Sequence, residues 1–256
     1  MKVGFAGAGN MAAAMARGWA GADGGPETMV FCDLERERAS ALAEALGGTV
    51  ADDLSELAGQ ADLVVLGVKP AALDAVADEL AAAGPRALLS MLAGTPLERI
   101  EGAFPGVPVV RVMPNQPVEV RRGVLCYVRG ADVPDEVERA IVDLLELLGL
   151  AIELDEAQME AAMAIMACSP AYVALVAEVL TDAGVREGLS PELAARFVAE
   201  TFAGTGELLG KRDPAAIRRA VAPPGGATEA GLEALERGAL RAAFDAAAEA
   251  SLARVR

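Results

Sequence analysis

Apolar positions in the first 155 residues fall into short runs separated by stretches of helical spacing. The runs at 3–6, 29–33, 63–67, 87–91, 109–112, 123–128 and 151–154 are short and mostly aliphatic, which predicts strands. Between the first five lie helical patterns such as 11–19 and 35–46. This alternation implies βαβ units and a parallel sheet covered on both faces. A further helix is predicted over 135–148, where Val137, Ile141, Leu144, Leu145 and Leu148 share one face. From Glu156 onward the strand pattern stops. Helices are predicted at 156–182, 191–209, 214–221, 228–237 and 239–254. Pro170 interrupts the first of these, placing a kink or break near Cys168 and Ser169. The pattern divides the chain into an α/β domain over 1–155 and an all-α domain over 156–256.

The all-α part is apolar on more than one face, through Met159, Met163 and Met166 and then Tyr172, Leu175, Val176 and Val179. So apolar a region of roughly 100 residues is expected to bury part of itself against a partner, which predicts an oligomer. Apolar residues make up 54% of the chain, enough for a real core. The net charge of −16 repels nucleic acid and anionic lipid, so neither is expected as a partner. A membrane span needs about 18 apolar residues free of charge, and no run reaches that length. The start, Met1-Lys2-Val3-Gly4-Phe5, enters a strand at once and lacks a cleavable signal pattern. Cys32, Cys126 and Cys168 form neither a CxxC nor an even framework, which points to a reduced, cytoplasmic setting. The chain has no histidine. Histidine-based nucleophile pairs and histidine metal ligands are therefore excluded, no metal site is expected, and the hard chemistry falls to a bound cofactor.

The cofactor signal is Gly7-Ala8-Gly9-Asn10-Met11-Ala12, a GxGxxA motif. It follows an apolar strand, opens an alanine-rich helix and leads to a second strand ending in Asp33, the context of a dinucleotide fingerprint. Gly7 permits the tight turn, Gly9 lets backbone approach a pyrophosphate, and Ala12 lets helix pack on sheet. The helix N-terminus then offers free N–H groups to phosphate. Asp33 lies where a carboxylate accepts the ribose hydroxyls of NAD and repels the extra phosphate of NADP, which leans the reading to NADH. Arg36 and Arg38 follow closely and are able to contact that phosphate, so NADPH stays open. Asp33 as a simple helix cap is the bland alternative.

Further candidates fall where later strands end. They are Val68-Lys69-Pro70, then Ala93-Gly94, then Asn115 within Met113-Pro114-Asn115-Gln116-Pro117. Strand C-termini are where open α/β sheets bind ligands. Asn115 reads equally as a partner of nicotinamide or ribose and as a turn residue between two prolines.

Several segments together resemble one family: "GFAGAGNM", "GVKP", "LAGTPLERIE", "RVMPNQPVEV", "SPAYVALVAEVLTDAGVREGLS" and "PPGGATEAGLEALERGALRAAF". Their order and spacing, from residue 3 to about 247, resemble the pyrroline-5-carboxylate reductases. The SPAY and PGGAT segments are the most specific. The resemblance implies a Rossmann domain followed by a helical dimerisation domain, with dimers that often assemble into decamers. It implies NAD(P)H-dependent reduction of 1-pyrroline-5-carboxylate to L-proline, at a site on the dimer interface beside the nicotinamide. It gives Gly225, Gly226, Ala227 and Thr228 the substrate carboxylate, with Cys168 and Ser169 as further substrate-binding positions. The physics agrees at the loop: two glycines allow the turn, and the following helix presents unpaired N–H groups and the positive end of its dipole. Lys211, Arg212, Arg218 and Arg219 form a basic island able to steer an anion there. Thr228 reads either as an N-cap or as a hydroxyl that bonds the imine nitrogen.

The chain also departs from that family. Ala167-Cys168-Ser169 stands for its Gly-Ser-Gly, Leu54 for a frequent asparagine, Arg219 for a frequent aspartate, and Lys211-Arg212 where a glutamate is common. These changes leave open a related cyclic imine as substrate, or a non-catalytic nucleotide-binding paralogue. The β-hydroxyacid dehydrogenases are disfavoured, because the last lysine, Lys211, lies in a turn and not in the long helix that carries their acid–base group.

Overall fold

In the computed structural model, which describes residues 1–255, the short apolar runs become an eight-stranded sheet. The strands are β1 (Lys2–Ala6), β2 (Thr28–Cys32), β3 (Thr49–Val50), β4 (Leu63–Leu66), β5 (Leu88–Ser90), β6 (Val109–Pro114), β7 (Gly123–Arg129) and β8 (Gly149–Glu153). Their order is β3-β2-β1-β4-β5-β6-β7-β8. The first six pair in parallel, as the alternation predicts. The sheet is not parallel throughout, since β7 runs antiparallel to β6. A parallel return needs a crossover of about a dozen residues or more. The link between β6 and β7 is a tight 3-10 turn over Gln116–Val120, too short for that crossover. The helix after β7 restores the rule, and β8 pairs parallel to β7. The two-residue β3, set after Gly47 and Gly48, carries too little pattern to be predicted.

The crossovers are α1 (Asn10–Ala20), α2 (Arg36–Leu46), α3 (Leu54–Gln60), α4 (Leu73–Leu80), α5 (Leu97–Ala103) and α6 (Asp135–Glu146). Alternation along the strands sends Val3 and Phe5 to one face and Ala6, Val64 and Leu66 to the other. On the first face Phe5 stacks on Phe31 at 5.1 Å and tilts against Trp19 at 5.9 Å. The buried Trp19 indole donates to the Leu144 carbonyl at 2.7 Å, which ties α1 to α6 and satisfies the ring's one polar atom. On the second face Leu57, Ile100 and Phe104 close over the strands.

A third cluster covers the end of the sheet. Met113, Cys126 and Val128 meet Met159 and Met163 from the segment that follows β8. That segment begins with a 3-10 turn at Glu156–Gln158, continues as α7 (Met159–Ala162) and widens to a π turn at Met163–Ala167. Its contacts join it to the sheet, so the first compact unit is Met1–Cys168 and the second is Ser169–Ala253. The sequence pattern divides the chain earlier, at 155, because it registers where strands stop and not where helices pack.

The second unit contains α8 (Ser169–Arg186), α9 (Pro191–Leu209), α10 (Pro214–Val221), α11 (Ala227–Arg237) and, as far as Ala253, α12 (Leu240–Val255). Ser190 and Asp213 cap α9 and α10 through their side chains. Tyr172 shares a 2.6 Å hydrogen bond with Ser251 and meets Phe244 edge-on, closing α12 onto α8. Among the described residues of this unit only Ala194 is fully buried. Val173, Leu175, Val179, Leu180 and Phe197 are exposed. By length and composition alone the run Glu156–Arg186 would also fit a membrane crossing.

The start of the segment after β8 is held by charge. Arg111, 5% exposed on β6, pairs with the Glu156 carboxylate, which also accepts the Leu97 N–H at 3.2 Å. Losing one partner of a buried pair leaves the other charge stranded. Glu156→Ala is expected to cost about 3 kcal/mol in denaturant unfolding, the low end for a buried pair because Glu156 keeps some water. A loss below about 1 kcal/mol would contradict this role.

Candidate functional site

The C-terminal ends of β1, β2, β4, β5 and β6 lie along one edge of the sheet, and the chain reverses direction of travel between β1 and β4. Ligands of open α/β sheets bind at such a switch point. Gly7 leaves β1 with φ of +100°, and a Cβ there would sit 2.8 Å from the Gly67 backbone. Two loops therefore touch main chain to main chain, which only glycine permits. A Cβ on Gly9, by contrast, would meet nothing within 4 Å. The protein's own packing does not require glycine at position 9, whereas backbone approach to a pyrophosphate does. Gly9 is also the N-cap of α1 and no side chain caps that helix, so Asn10, Met11 and Ala12 present their N–H groups at its mouth. These features fit a dinucleotide.

Asp33 closes the other side. Its carboxylate accepts the Ala8 N–H at 2.7 Å and the Glu35 N–H at 2.8 Å. It thus holds the glycine loop against the end of β2 and keeps lone pairs for a ribose. The surroundings are acidic: Glu79 accepts the Leu54 N–H at 2.9 Å, and Asp53 caps α3. Burial, then Glu79, Asp53 and Asp33, push the Cys32 thiol up to about 11. Cys126 is likewise raised by burial. Arg36 pairs with Asp52 and Arg38 with Glu35, so both arginines are already engaged. Leu34, fully exposed beside Asp33, offers no donor to a phosphate.

Val68, Lys69 and Pro70 follow β4, with Lys69 exposed at the start of a short 3-10 turn. Ala93 and Gly94 form an exposed turn after β5. The topology brings these positions to the same edge as Gly7, Ala8, Gly9, Asn10, Met11 and Asp33. Asn115 reaches that edge too, but its side chain is 7% exposed and both ends of its amide are engaged by main chain. The reading of Asn115 as a direct partner of the nicotinamide competes with those bonds.

The second glycine loop lies in the helical unit. Gly225 has φ of +75°, and Gly226 turns back with its N–H on the Pro223 carbonyl at 3.0 Å. Gly226 is the N-cap of α11 and makes no side-chain cap, so Ala227 and Thr228 are its first two residues. Thr228 therefore does not cap the helix, and its exposed hydroxyl is left for another use. Glu229, an acid whose place in the first turn of this helix is favourable on sequence alone, has a further part. It reaches back one residue past the N-cap to accept the Gly225 N–H at 2.6 Å. Its signal was legible, because glutamate at the third helical position commonly serves the preceding loop. Lys211, Arg212, Arg218 and Arg219 are exposed in this same unit. Cys168 and Ser169 are half-buried at the bend that follows the π turn.

A switch-point glycine loop with an acidic residue ending β2 defines a nucleotide-dependent oxidoreductase of the Rossmann type, here with an appended helical domain. Residues 156–256 match the family described as pyrroline-5-carboxylate reductase dimerisation, and residues 2–94 match NADP oxidoreductase coenzyme F420-dependent. A pyrroline-5-carboxylate reductase of Pseudomonas aeruginosa is 37% identical over 264 residues, covering 97% of this chain and 96% of its own. One from Synechocystis sp. is 34% identical over 259 residues, covering 99% and 97%. Among solved structures, the Plasmodium falciparum pyrroline carboxylate reductase with NADP bound superposes with a TM-score of 0.90 at 29% identity, covering 100% of this chain and 97% of that one. The Streptococcus pyogenes 1-pyrroline-5-carboxylate reductase gives 0.89 at 30% identity, covering 100% and 98%. The chain belongs to the pyrroline-5-carboxylate reductase family, and it carries that family's dimerisation domain.

The Asp33 bonds can be tested by binding. Asp33→Ala removes a charged acceptor of two loop N–H groups, each worth about 1.5–3 kcal/mol. The nucleotide Kd is expected to rise by at least about tenfold. An unchanged Kd would show that the loop holds its shape without Asp33.

Proposed function

We propose that this protein reduces the cyclic imine of 1-pyrroline-5-carboxylate to L-proline with NAD(P)H. One observation carries the reading beyond nucleotide binding: a second glycine turn opens α11 at Gly226 with no side-chain cap, leaving the first N–H groups of the helix beside the exposed Thr228. A helix N-terminus favours an anion, and the substrate is a carboxylate attached to an imine. When bound, the reduced nicotinamide supplies a hydride to the imine carbon while the C=N pair moves to nitrogen. The residues of this chain have a smaller task. Gly225 and Gly226 shape the turn, their own N–H groups held by Glu229 and the Pro223 carbonyl, while Ala227 and Thr228 offer main-chain N–H groups to the carboxylate. Thr228 hydrogen-bonds the ring nitrogen directly or through water, and Cys168 and Ser169 line the ring. A protonated imine is already electrophilic, so orientation and a dry pocket supply most of the acceleration. This suits a chain without histidine.

The exposed apolar faces of α8 and α9, and a helical unit with one fully buried residue, support a homodimer in which a second copy supplies the missing core. A further assembly of dimers into a decamer is the family's larger form and is proposed here on resemblance. Three free thiols suit a reducing cytoplasm. For the nucleotide, the acids around Cys32 and the engaged Arg36 and Arg38 favour NADH, although a relative has been solved with NADP.

Purified protein is expected to oxidise NADH in proportion to added 1-pyrroline-5-carboxylate, with a lower kcat/KM when NADPH replaces it. Equal efficiency with NADPH contradicts the preference. No turnover on this imine or its six-membered homologue would instead make the chain a nucleotide-binding paralogue. Thr228→Val should cut kcat by roughly 10- to 1000-fold, the range for a group that acts on a proton or a developing charge. Its nucleotide Kd should stay as in the parent, and unchanged turnover would remove Thr228 from the mechanism.

A further inference from the structure

Asn115 makes two hydrogen bonds of opposite sense, and both go to main chain. Its Oδ1 accepts the Val124 N–H of β7 at 2.9 Å. Its Nδ2 donates to the Met166 carbonyl at 3.0 Å. A donor on one side and an acceptor on the other leave a single orientation for the amide. The residue is 7% exposed, so these bonds are largely shielded from water, where an unmade one is costly.

The Met166 carbonyl has a reason to need such a donor. In an α-helix it would accept the N–H four residues on, at position 170. That residue is proline and has no N–H. The chain adapts by widening to the π turn of Met163–Ala167, where the Cys168 N–H reaches back five residues to the Met163 carbonyl at 3.2 Å. Asn115 then supplies from outside the bond that the proline withholds. With Arg111 holding Glu156, the segment after β8 is fixed near both ends by residues of β6 and the loop that follows it. Cys168 comes two residues after the held carbonyl.

We infer that Asn115 is a positioning residue: it sets the backbone that leads into Cys168 and Ser169 and leaves the nucleotide to the other edge loops. The inference rests on the proposed reading of Cys168 and Ser169 as lining the imine site.

The test separates nucleotide from imine. Asn115→Asp keeps an acceptor for Val124 but turns a lone pair toward the Met166 carbonyl. With the whole purified enzyme, the NADH Kd measured by fluorescence should stay within about twofold, since no nucleotide contact is lost. At saturating NADH the KM for 1-pyrroline-5-carboxylate should rise by at least about fivefold, the low end for a buried carbonyl left unpaired. A Kd that rises as much as the KM, or a KM that does not move, overturns the inference. Folding supplies an independent arm. Pro170→Ala restores an N–H four residues beyond Met166, so Asn115→Asp should lower the melting temperature less in that background than in the parent. Equal losses in both backgrounds overturn the clamp even if the single variant is too unstable to assay. Should the parent enzyme reduce neither imine, the functional reading fails, while this thermal coupling still decides whether the clamp exists.

Discussion

The edge of the sheet where the nucleotide candidates gather depends on the contact between two stretches of bare backbone, Gly7 after β1 and Gly67 after β4. It forces a left-handed turn at Gly7 and brings the two loops together at the sheet's switch point. The mouth of α1 and the Asp33 carboxylate are placed from there, because Asp33 holds the adjoining Ala8 N–H. A side chain at Gly7 would displace the loop that carries the other nucleotide candidates. Gly9 is free of this packing, and its bare backbone stays open to a ligand. Two glycines two residues apart thus have different reasons to be glycine, which a motif alone does not reveal.

The same economy appears in the helical unit. Gly225 turns with positive φ and Gly226 caps α11, leaving main-chain donors and one hydroxyl at a helix mouth. A chain without histidine thus presents two helix mouths suited to anions. Such sites hold and orient charge well but offer little acid–base power. That suits chemistry in which a cofactor brings the reactive atom and the substrate is already activated, as hydride transfer to an imine is.

Much of this was legible in the sequence because its signals are local. Glycine spacing, the aliphatic runs of β1 and β4 and the end of strand pattern at Glu156 report directly on backbone needs. What stayed hidden depends on contacts between distant residues. The antiparallel β7 follows from a turn too short to cross over, and β3 has only two residues to announce it. Asp33 looked like a ribose ligand or a cap; in the fold it also holds Ala8. Asn115 looked like a ligand or a turn residue. Its burial and its bond to Met166 emerge only when the segment after β8 folds onto the sheet. Pro170 was visible as a break, but the carbonyl it orphans becomes meaningful only with the partner that rescues it. The apolar faces of α8 and α9 were visible as excess hydrophobicity, and the fold shows that a single chain leaves them uncovered.

In the proposed reaction hydride passes directly from the nicotinamide to the ring carbon of the imino acid. The most direct measurement uses NADH deuterated at C4 with 1-pyrroline-5-carboxylate and follows the label by mass spectrometry and NMR. Direct transfer yields L-proline carrying one deuterium at the former imine carbon, when the nucleotide is labelled on the transferred face. Proline formed without label, or no proline at all, would contradict it.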